Sequence, residues 1–370
     1  MSFSRTSTST GPKESIDTAV VDSALSMLAS TPDIIYTSVG FRGFAGTLDE
    51  TTLEILQNHP DVDFIEQDTK ASLADYVSQS DAGWNLARVS HRKLNATQYV
   101  YDESAGEGTC SYVIDSGVFL EHDEFEGRAK FLADFGGDDD GGDDDGVDYI
   151  GHGTHVAGIL GGRTFGIAKK TNIFAVKMIS KAFEGTASTI IAAADFVAND
   201  AQTRDCPKGI VVNMSVGNPR NEALNAAVAA LVSDGIFVAV ASHNFGTDAY
   251  NYSPGSEPTV CTVGASTPED SVTSFSDYGA LVDVFAPGVD VKSAWISDDG
   301  STNTTSIEQG TSMASPTVAG LAAYLLALEG PRDPIALCER IRELSTKDIL
   351  SSIPDEESPN MLIFNGNPSD

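Results

Sequence analysis

Three short segments carry residues that could do covalent chemistry together. SYVIDSGV, residues 111–118, ends an apolar run in Asp115. GHGTHVAGIL, residues 151–160, sets His152 and His155 among small residues that begin an apolar helical stretch. GTSMASPTVAGLAAYLL, residues 310–326, places Ser312 at the head of a small-residue helix. A serine hydroxyl is a weak nucleophile until a base takes its proton. A carboxylate behind that base fixes its tautomer and stabilises the imidazolium. Taken singly, each segment has a plainer reading. A strand-end aspartate is often a turn former, and a serine at a helix start is usually an N-cap. Histidines three apart with no nearby glutamate do not make the HExxH zinc site. Gly310, Ala314 and Gly320 say more about the serine segment, because small residues permit close approach of a substrate or a second backbone.

These residues need a scaffold, and the chain supplies one from about residue 108. Tyr112–Ile114, Ile173–Met178, Ile210–Met214, Ile236–Ala241 and Val260–Val263 are short, fully apolar runs. Between and after them lie helical patterns over Ser188–Ala201, Glu222–Ser233 and Pro316–Leu328. Alternation of this kind predicts an α/β domain, a parallel sheet with helices on both faces. Ligands bind beyond the carboxyl ends of such strands, where Asp115 falls. A smaller α/β unit precedes it. Residues 1–16 are Ser/Thr-rich and polar and are expected to be disordered. Residues 17–70 hold a helical face (Val20, Val21, Ala24, Leu25, Met27, Leu28), a strand at Ile34–Val39, loose alternation at Phe41–Leu48, a helix at Leu53–His59 stopped by Pro60, and a strand at Val62–Ile65. Residues 66–83 are polar, and 71–83 are read as a linker to a domain spanning 84–370.

Composition narrows the partners. The chain has 370 residues and a formal net charge of -32, which disfavours nucleic acid and anionic membranes. No run of about 18 apolar residues reads as a membrane helix. Seven aspartates crowd GGDDDGGDDDGVD, residues 136–148, a mobile solvated loop by charge repulsion or, as a sharper reading, a calcium site. The four cysteines (Cys110, Cys206, Cys261 and Cys338) are widely spaced and fit two disulfides or four buried thiols, with three pairings open. The N-terminal residues show no apolar core of a signal peptide.

In the order Asp, His, Ser on an α/β scaffold, the three segments follow the subtilisin arrangement rather than the chymotrypsin or lipase order, and no GxSxG elbow is present. DSGV, GHGTHVAG and GTSMASP resemble the three signatures of subtilisin-like serine proteases. YVYDESAGEGTCSYVIDSGV, NYSPGSEPTVCTVGAS and SFSDYG narrow the resemblance to the proteinase K-like branch, from about Trp84 onward. Residues 17–70, ending in HPDVDFIEQD, resemble its inhibitory prosegment. The resemblance implies a monomeric serine endopeptidase of broad specificity, made as a zymogen, acting on protein or peptide substrates and partnered by its own prosegment. It also implies an extracellular protein.

Residue by residue, the resemblance implies Asp115, His152 and Ser312 as the triad, with His155 structural. Asn244, after the strand IFVAVA, matches the oxyanion asparagine, though Ser242 and His243 replace a small residue and a glycine before it. His243 either enters a backbone position that wants glycine or narrows the pocket for the residue before the scissile bond. Ser215, Val216 and Gly217 match one substrate-binding strand, with Asn218 and Pro219 where glycines are expected. Phe183, Glu184, Gly185, Thr186 and Ala187 match the other. No catalytic cofactor is implied. A structural Ca²⁺ at Pro258, Val260 and Asp283 is, while a second calcium site is weakened by Ile349 and Asp348. The implied bridges are Cys110–Cys206 and Cys261–Cys338. Aligning Trp84 places the processing cut between Tyr76 and Val77. The competing reading is a catalytically impaired homologue that binds or inhibits, with His243 as its main support. A calcium-binding surface protein would rest on the aspartate run alone.

Overall fold

The computed structural model describes residues 32–38, 41–60, 62, 65, 76–137, 146–182 and 185–370, which belong to two compact units, Met1–Leu73 and Ala74–Asp370. The N-terminal tail, the helix expected over Val20–Leu28, the aspartates at 138–145, and Phe183 and Glu184 lie outside the described residues.

In the first unit, β1 (Ile34–Ser38) pairs antiparallel with β2 (Phe41–Ala45). Helix α1 (Glu50–Gln57) starts three residues before the expected position, because the Asp49 side chain accepts the Thr52 N–H at 2.8 Å and caps it. Phe44 and Leu56 are fully buried, and Leu48, Val62 and Ile65 pack against them. The strand expected at Val62–Ile65 falls partly outside the described residues.

The second unit runs β3 (Tyr76–Gln79), α2 (Trp84–Ser90), β4 (Tyr99–Asp102), β5 (Thr109–Asp115), β6 (Ala129–Asp134), α3 (His152–Gly161), β7 (Asn172–Lys177), α4 (Ala187–Ala201) and β8 (Gly209–Met214). It continues through β9 (Asn218–Pro219), α5 (Glu222–Ser233), β10 (Phe237–Ala241), β11 (Tyr252–Ser253), β12 (Cys261–Ser266), β13 (Val284–Pro287), β14 (Val291–Ala294) and β15 (Thr305–Glu308). Helices α6 (Thr311–Glu329) and α7 (Pro334–Leu344) and strands β16 (Thr346–Lys347) and β17 (Met361–Leu362) complete it. A nine-stranded sheet in the order β16-β17-β13-β12-β10-β8-β5-β7-β6 is parallel throughout except for the β16–β17 edge. Its central strands are buried on both faces, as the unbroken apolar runs require. Alternate residues serve opposite layers: Val113, Ala175 and Ala239 meet Val156, Leu160, Val318 and Leu321 of α3 and α6. Tyr112, Ile114, Val176 and Val240 meet Ile190, Val197, Leu224 and Val228 of α4 and α5. The strand order reverses at β5, so the carboxyl ends of β5 and β8 flank a topological switch point, where open α/β sheets bind ligands.

Three differences from the sequence reading have physical causes. Strand β5 begins at Thr109 rather than Tyr112, because the buried hydroxyls of Thr109 and Ser111 each hydrogen-bond Thr171 Oγ1 at 2.7 Å. Within the expected linker, β3 pairs antiparallel with β4, Tyr76 opposite Asp102; its polar composition hid a short edge strand. Helix α6 begins at Thr311 and carries Pro316 inside it. Proline has no N–H to give the carbonyl four residues back, Ser312's, and that carbonyl instead accepts the Ser215 hydroxyl at 2.8 Å. The missing bond thus ties α6 to the end of β8. Disulfides join Cys110 to Cys206 and Cys261 to Cys338, fixing β5 and β12 to distant parts of the chain.

Candidate active site

Asp115, the last residue of β5, is fully buried, and its Oδ1 is 2.7 Å from His152 Nδ1 at the first turn of α3. The same oxygen accepts the Ser116 N–H at 2.7 Å. The imidazole is 29% exposed, so one edge faces the sheet and the other faces the cleft. Burial alone would lower its pKa, but the carboxylates of Asp115, Asp148 and Glu308 outweigh that and hold it above the ordinary histidine value. In the sequence Asp148 is one more aspartate of the acidic run. It is buried and accepts from the N–H groups of Ile150, Gly151 and Thr154 and the hydroxyls of Ser116 and Thr154. A carboxylate at a helix N-terminus suits both the dipole and the orphan N–H groups, and here it locks the turn that presents His152. His155 is buried one turn on, with its Nε2 3.1 Å from the Val291 carbonyl oxygen and its ring edge-on to Trp295. Burial, assisted by the neighbouring His152, lowers its pKa to about 4, so it stays neutral.

Ser312 lies in the first turn of α6, and its hydroxyl donates to the Ser215 carbonyl at 3.3 Å. Helices α3 and α6 touch where Gly320 meets Leu160: a Cβ on Gly320 would lie 2.7 Å from the Leu160 carbonyl oxygen. His152 and Ser312 each stand eight residues before that crossing, about 12 Å along each helix. His152 contacts the end of β5 and Ser312 the residue after β8, parallel neighbours, so both helix starts open at the carboxyl edge of the sheet. Asn244, exposed beyond β10, uses its Oδ1 to accept the Thr311 N–H and hydroxyl, each at 2.9 Å. That contact fixes the amide, and its Nδ2 has no acceptor among the described residues. The loop carrying it is held by Asp277, also missed from sequence although it stands in SFSDYG. Its buried Oδ1 accepts the N–H groups of Phe245 and Thr247 at 2.9 and 3.0 Å.

Of the expected substrate-binding segments, Ser215, Val216 and Gly217 follow β8 directly. Asn218 and Pro219, the departures from glycine, form β9 and pair with Tyr252 and Ser253 of β11. In the other segment Thr186 caps α4, exchanging hydrogen bonds with Thr189 in a capping box, so Ala187 is already helical and only Gly185 remains before the cap among the described residues. His243 stands at φ +96°, in the region that favours glycine, and its ring stacks on Phe245 and Tyr252 at centroid distances of 4.7 and 4.6 Å. Burial lowers its pKa, with Asp277 opposing.

Asp283 is half-buried; its Oδ2 accepts the Thr262 N–H at 2.8 Å, and Arg342 is 3.8 Å from Oδ1. Burial raises its pKa to about 6. Val260 is buried beside the start of β12, and Pro258 lies in the turn before it. Asp283 also lies close to Cys261 and Cys338, but both sulfurs are spent in their disulfide and cannot act as thiolate ligands. Tyr76 and Val77 lie in β3, opposite Asp102 and Tyr101.

Comparison with known proteins agrees with this architecture. Residues 106–344 match the Subtilase family, and residues 8–74 match Peptidase inhibitor I9. The chain belongs to the subtilase family and is a serine endopeptidase preceded by an inhibitor-type prosegment. Within the family it is proteinase K-like. It is 48% identical to the subtilisin-like serine protease AsES of Sarocladium strictum over 351 residues, covering 95% of this chain and 87% of that one. It is 47% identical to a cuticle-degrading protease of Metarhizium anisopliae over 354 residues, 96% and 88% of the two chains. Proteinase R of Parengyodontium album is 45% identical over 353 residues, 95% and 87% of the two. A cold-adapted subtilisin-like serine proteinase of known structure superposes with a TM-score of 0.70 at 38% identity, covering 77% of this chain and 99% of that one.

Proposed function

We propose that the protein is a zymogen whose peptidase domain, residues 84–370, cuts extended peptides through an acyl-enzyme formed on Ser312. The observation that carries this reading is the 2.7 Å contact between Asp115 and His152 at the mouth that Ser312 shares. His152 Nε2 takes the Ser312 proton as Oγ attacks the scissile carbonyl. Asp115 holds the Nδ1 proton in place and stabilises the imidazolium. The tetrahedral oxyanion is met by Asn244 Nδ2 and by the Ser312 N–H, which has no partner within its helix at that position. His152 then protonates the leaving amine, and water, activated by the same base, hydrolyses the acyl-enzyme. Ser215–Gly217 and the residues before Thr186 hold the substrate by main-chain pairing, which gives broad specificity.

Residues 17–70 act as the inhibitory prosegment behind the tail 1–16, and the linker 71–83 is where the enzyme removes it, with Tyr76–Val77 the bond expected from sequence. The enzyme is a monomer that works outside the cell, a setting in which two disulfides persist. Its partners are protein or peptide substrates and its own prosegment, not nucleic acid or membrane. No catalytic cofactor takes part. The residues at Pro258, Val260 and Asp283 fit one structural Ca²⁺: the Asp283 side chain is only 24% exposed, Arg342 is the nearest cation to it among the described residues at 3.8 Å, and hard cations take carboxylate oxygens together with backbone carbonyls. The ion would secure the start of β12.

A fluorophosphonate probe tests the reading. It should form one adduct, on Ser312, and block hydrolysis of casein. Folded protein that takes no label and cuts no casein would overturn the proposal.

A further inference from the structure

The segments 215–217 and 242–244 leave the carboxyl ends of β8 and β10, neighbours in the sheet. Ser312 Oγ reaches the first through the Ser215 carbonyl, and Asn244 ends the second. On the proposed mechanism, a substrate carbonyl at Ser312 with its oxygen toward Asn244 lies beside both segments, and the space between them is where its own side chain would enter. His243 occupies that space. A Cβ on Gly217 would lie 2.0 Å from His243 Cδ2 and 2.4 Å from its Nε2, so the imidazole rests on the Gly217 backbone.

The ring is held by its neighbours. Its Nδ1 accepts the Asn244 N–H at 3.1 Å. Phe245 and Tyr252 stack on it at interplanar angles of 12° and 26°, and Tyr252 is tied through β11 to Pro219 of β9. A non-glycine residue at φ +96° carries a strain of about 1–3 kcal/mol and persists only where its surroundings impose it. Here the stack, the Asn244 bond and the absence of a side chain at Gly217 do so together.

Resting on the function proposed above, we infer that His243 is a specificity-determining residue: it closes the cleft for the side chain that precedes the scissile bond, so that the enzyme favours alanine or glycine there and rejects aromatic residues. The Tyr76–Val77 bond is then a poor site for self-processing, whereas Ala71, Ser72 and Ala74 supply small residues just upstream.

The test compares two p-nitroanilides, succinyl-Ala-Ala-Pro-Ala and succinyl-Ala-Ala-Pro-Phe, on purified enzyme. The native enzyme should have the higher kcat/KM on the alanine peptide. In His243→Gly the backbone relaxes, since glycine accepts positive φ. The Phe/Ala ratio of kcat/KM should then rise about 100-fold. A second readout needs no variant: the peptides released from casein by the native enzyme, identified by mass spectrometry, should end in small residues. Native enzyme that takes the Ser312 label but prefers phenylalanine, or a ratio unmoved in a labelled His243→Gly, overturns the inference alone. Enzyme that takes no label and cuts neither peptide overturns the proposed function, and this inference with it.

Discussion

Asp115 and His152 stand at the ends of a central strand and a buried helix, and the groups that fix them are the buried Asp148 carboxylate and the backbone of the same turns. Asn244 and His243 stand on a loop beyond β10, fixed by one side chain of α6, one buried aspartate and a stack of rings that is partly in solvent, Phe245 being 60% exposed. The two sides of the cleft therefore tolerate change differently. On the acid–base side a substitution disturbs buried hydrogen bonds whose loss is costly. On the substrate side a whole ring has been admitted where glycine was expected, and Asn244 keeps its contact with Thr311 at 2.9 Å. Proton chemistry demands one geometry, whereas the fit of a substrate side chain can drift with a single loop residue.

The largest effect should come from Ser312→Ala, which removes the proposed nucleophile and leaves the α6 contacts in place. Turnover on peptide substrates should fall about 10⁶-fold. The variant should keep the native melting temperature, and retained hydrolysis would remove Ser312 from the mechanism. Asp115→Asn tests the acid–base side with less violence: a wrong tautomer at His152 should cost about 10⁴ in kcat. Asn244→Ala tests the other side and should cost about 2.7–4 kcal/mol of transition-state stabilisation, read in kcat with KM little changed. If Asn244→Ala matched Asp115→Asn in cost, the contrast between the two sides would fail.

The segments that meet on the acid–base side were legible in the sequence. Asp115, His152 and Ser312 lie in segments whose residue types are dictated by close packing and chemistry within a few positions, and the strand–helix alternation that places them is strongly periodic. What was hidden depends on partners far along the chain. Asp148 looked like one more charge in an acidic run, and only the folded turn around it reveals five donors. Nothing local in YVSQ announces the pairing of β3 with β4. The match of His243 to Gly217 spans 26 positions and two loops, so sequence could flag the odd residue but not the glycine it rests on.

Stability offers a smaller test of the same scaffold. Chelating calcium should lower the melting temperature of the native enzyme while its initial rate changes little, because the Asp283 region braces β12 rather than the cleft; a ligand bound only to the folded state stabilises by mass action. Asp283→Ala should melt alike with and without calcium. A calcium response that survives in that variant would place the ion elsewhere.

The smallest effect concerns the reach of charge into the acid–base side. In the proposed mechanism His152 must be neutral to accept the Ser312 proton, so kcat/KM should fall as pH drops through its pKa, with that limb above the ordinary histidine value. Three carboxylates hold it there, and they act differently. Asp115 touches the ring and Asp148 braces its helix, so replacing either disturbs structure as well as charge. Glu308, in β15, contributes through its field alone; its carboxylate accepts only the Ser306 hydroxyl among the described residues. Glu308→Gln keeps that shape and removes the charge. The acid limb should move to lower pH while kcat on the plateau is unchanged, and added salt should produce part of the same shift in the native enzyme but less in the variant, since salt screens a distant half-exposed charge more than a buried contact. A limb that stays fixed in Glu308→Gln would mean that Asp115 and Asp148 alone set the proton affinity of His152, and that the acid–base side is sealed from charges across the cleft.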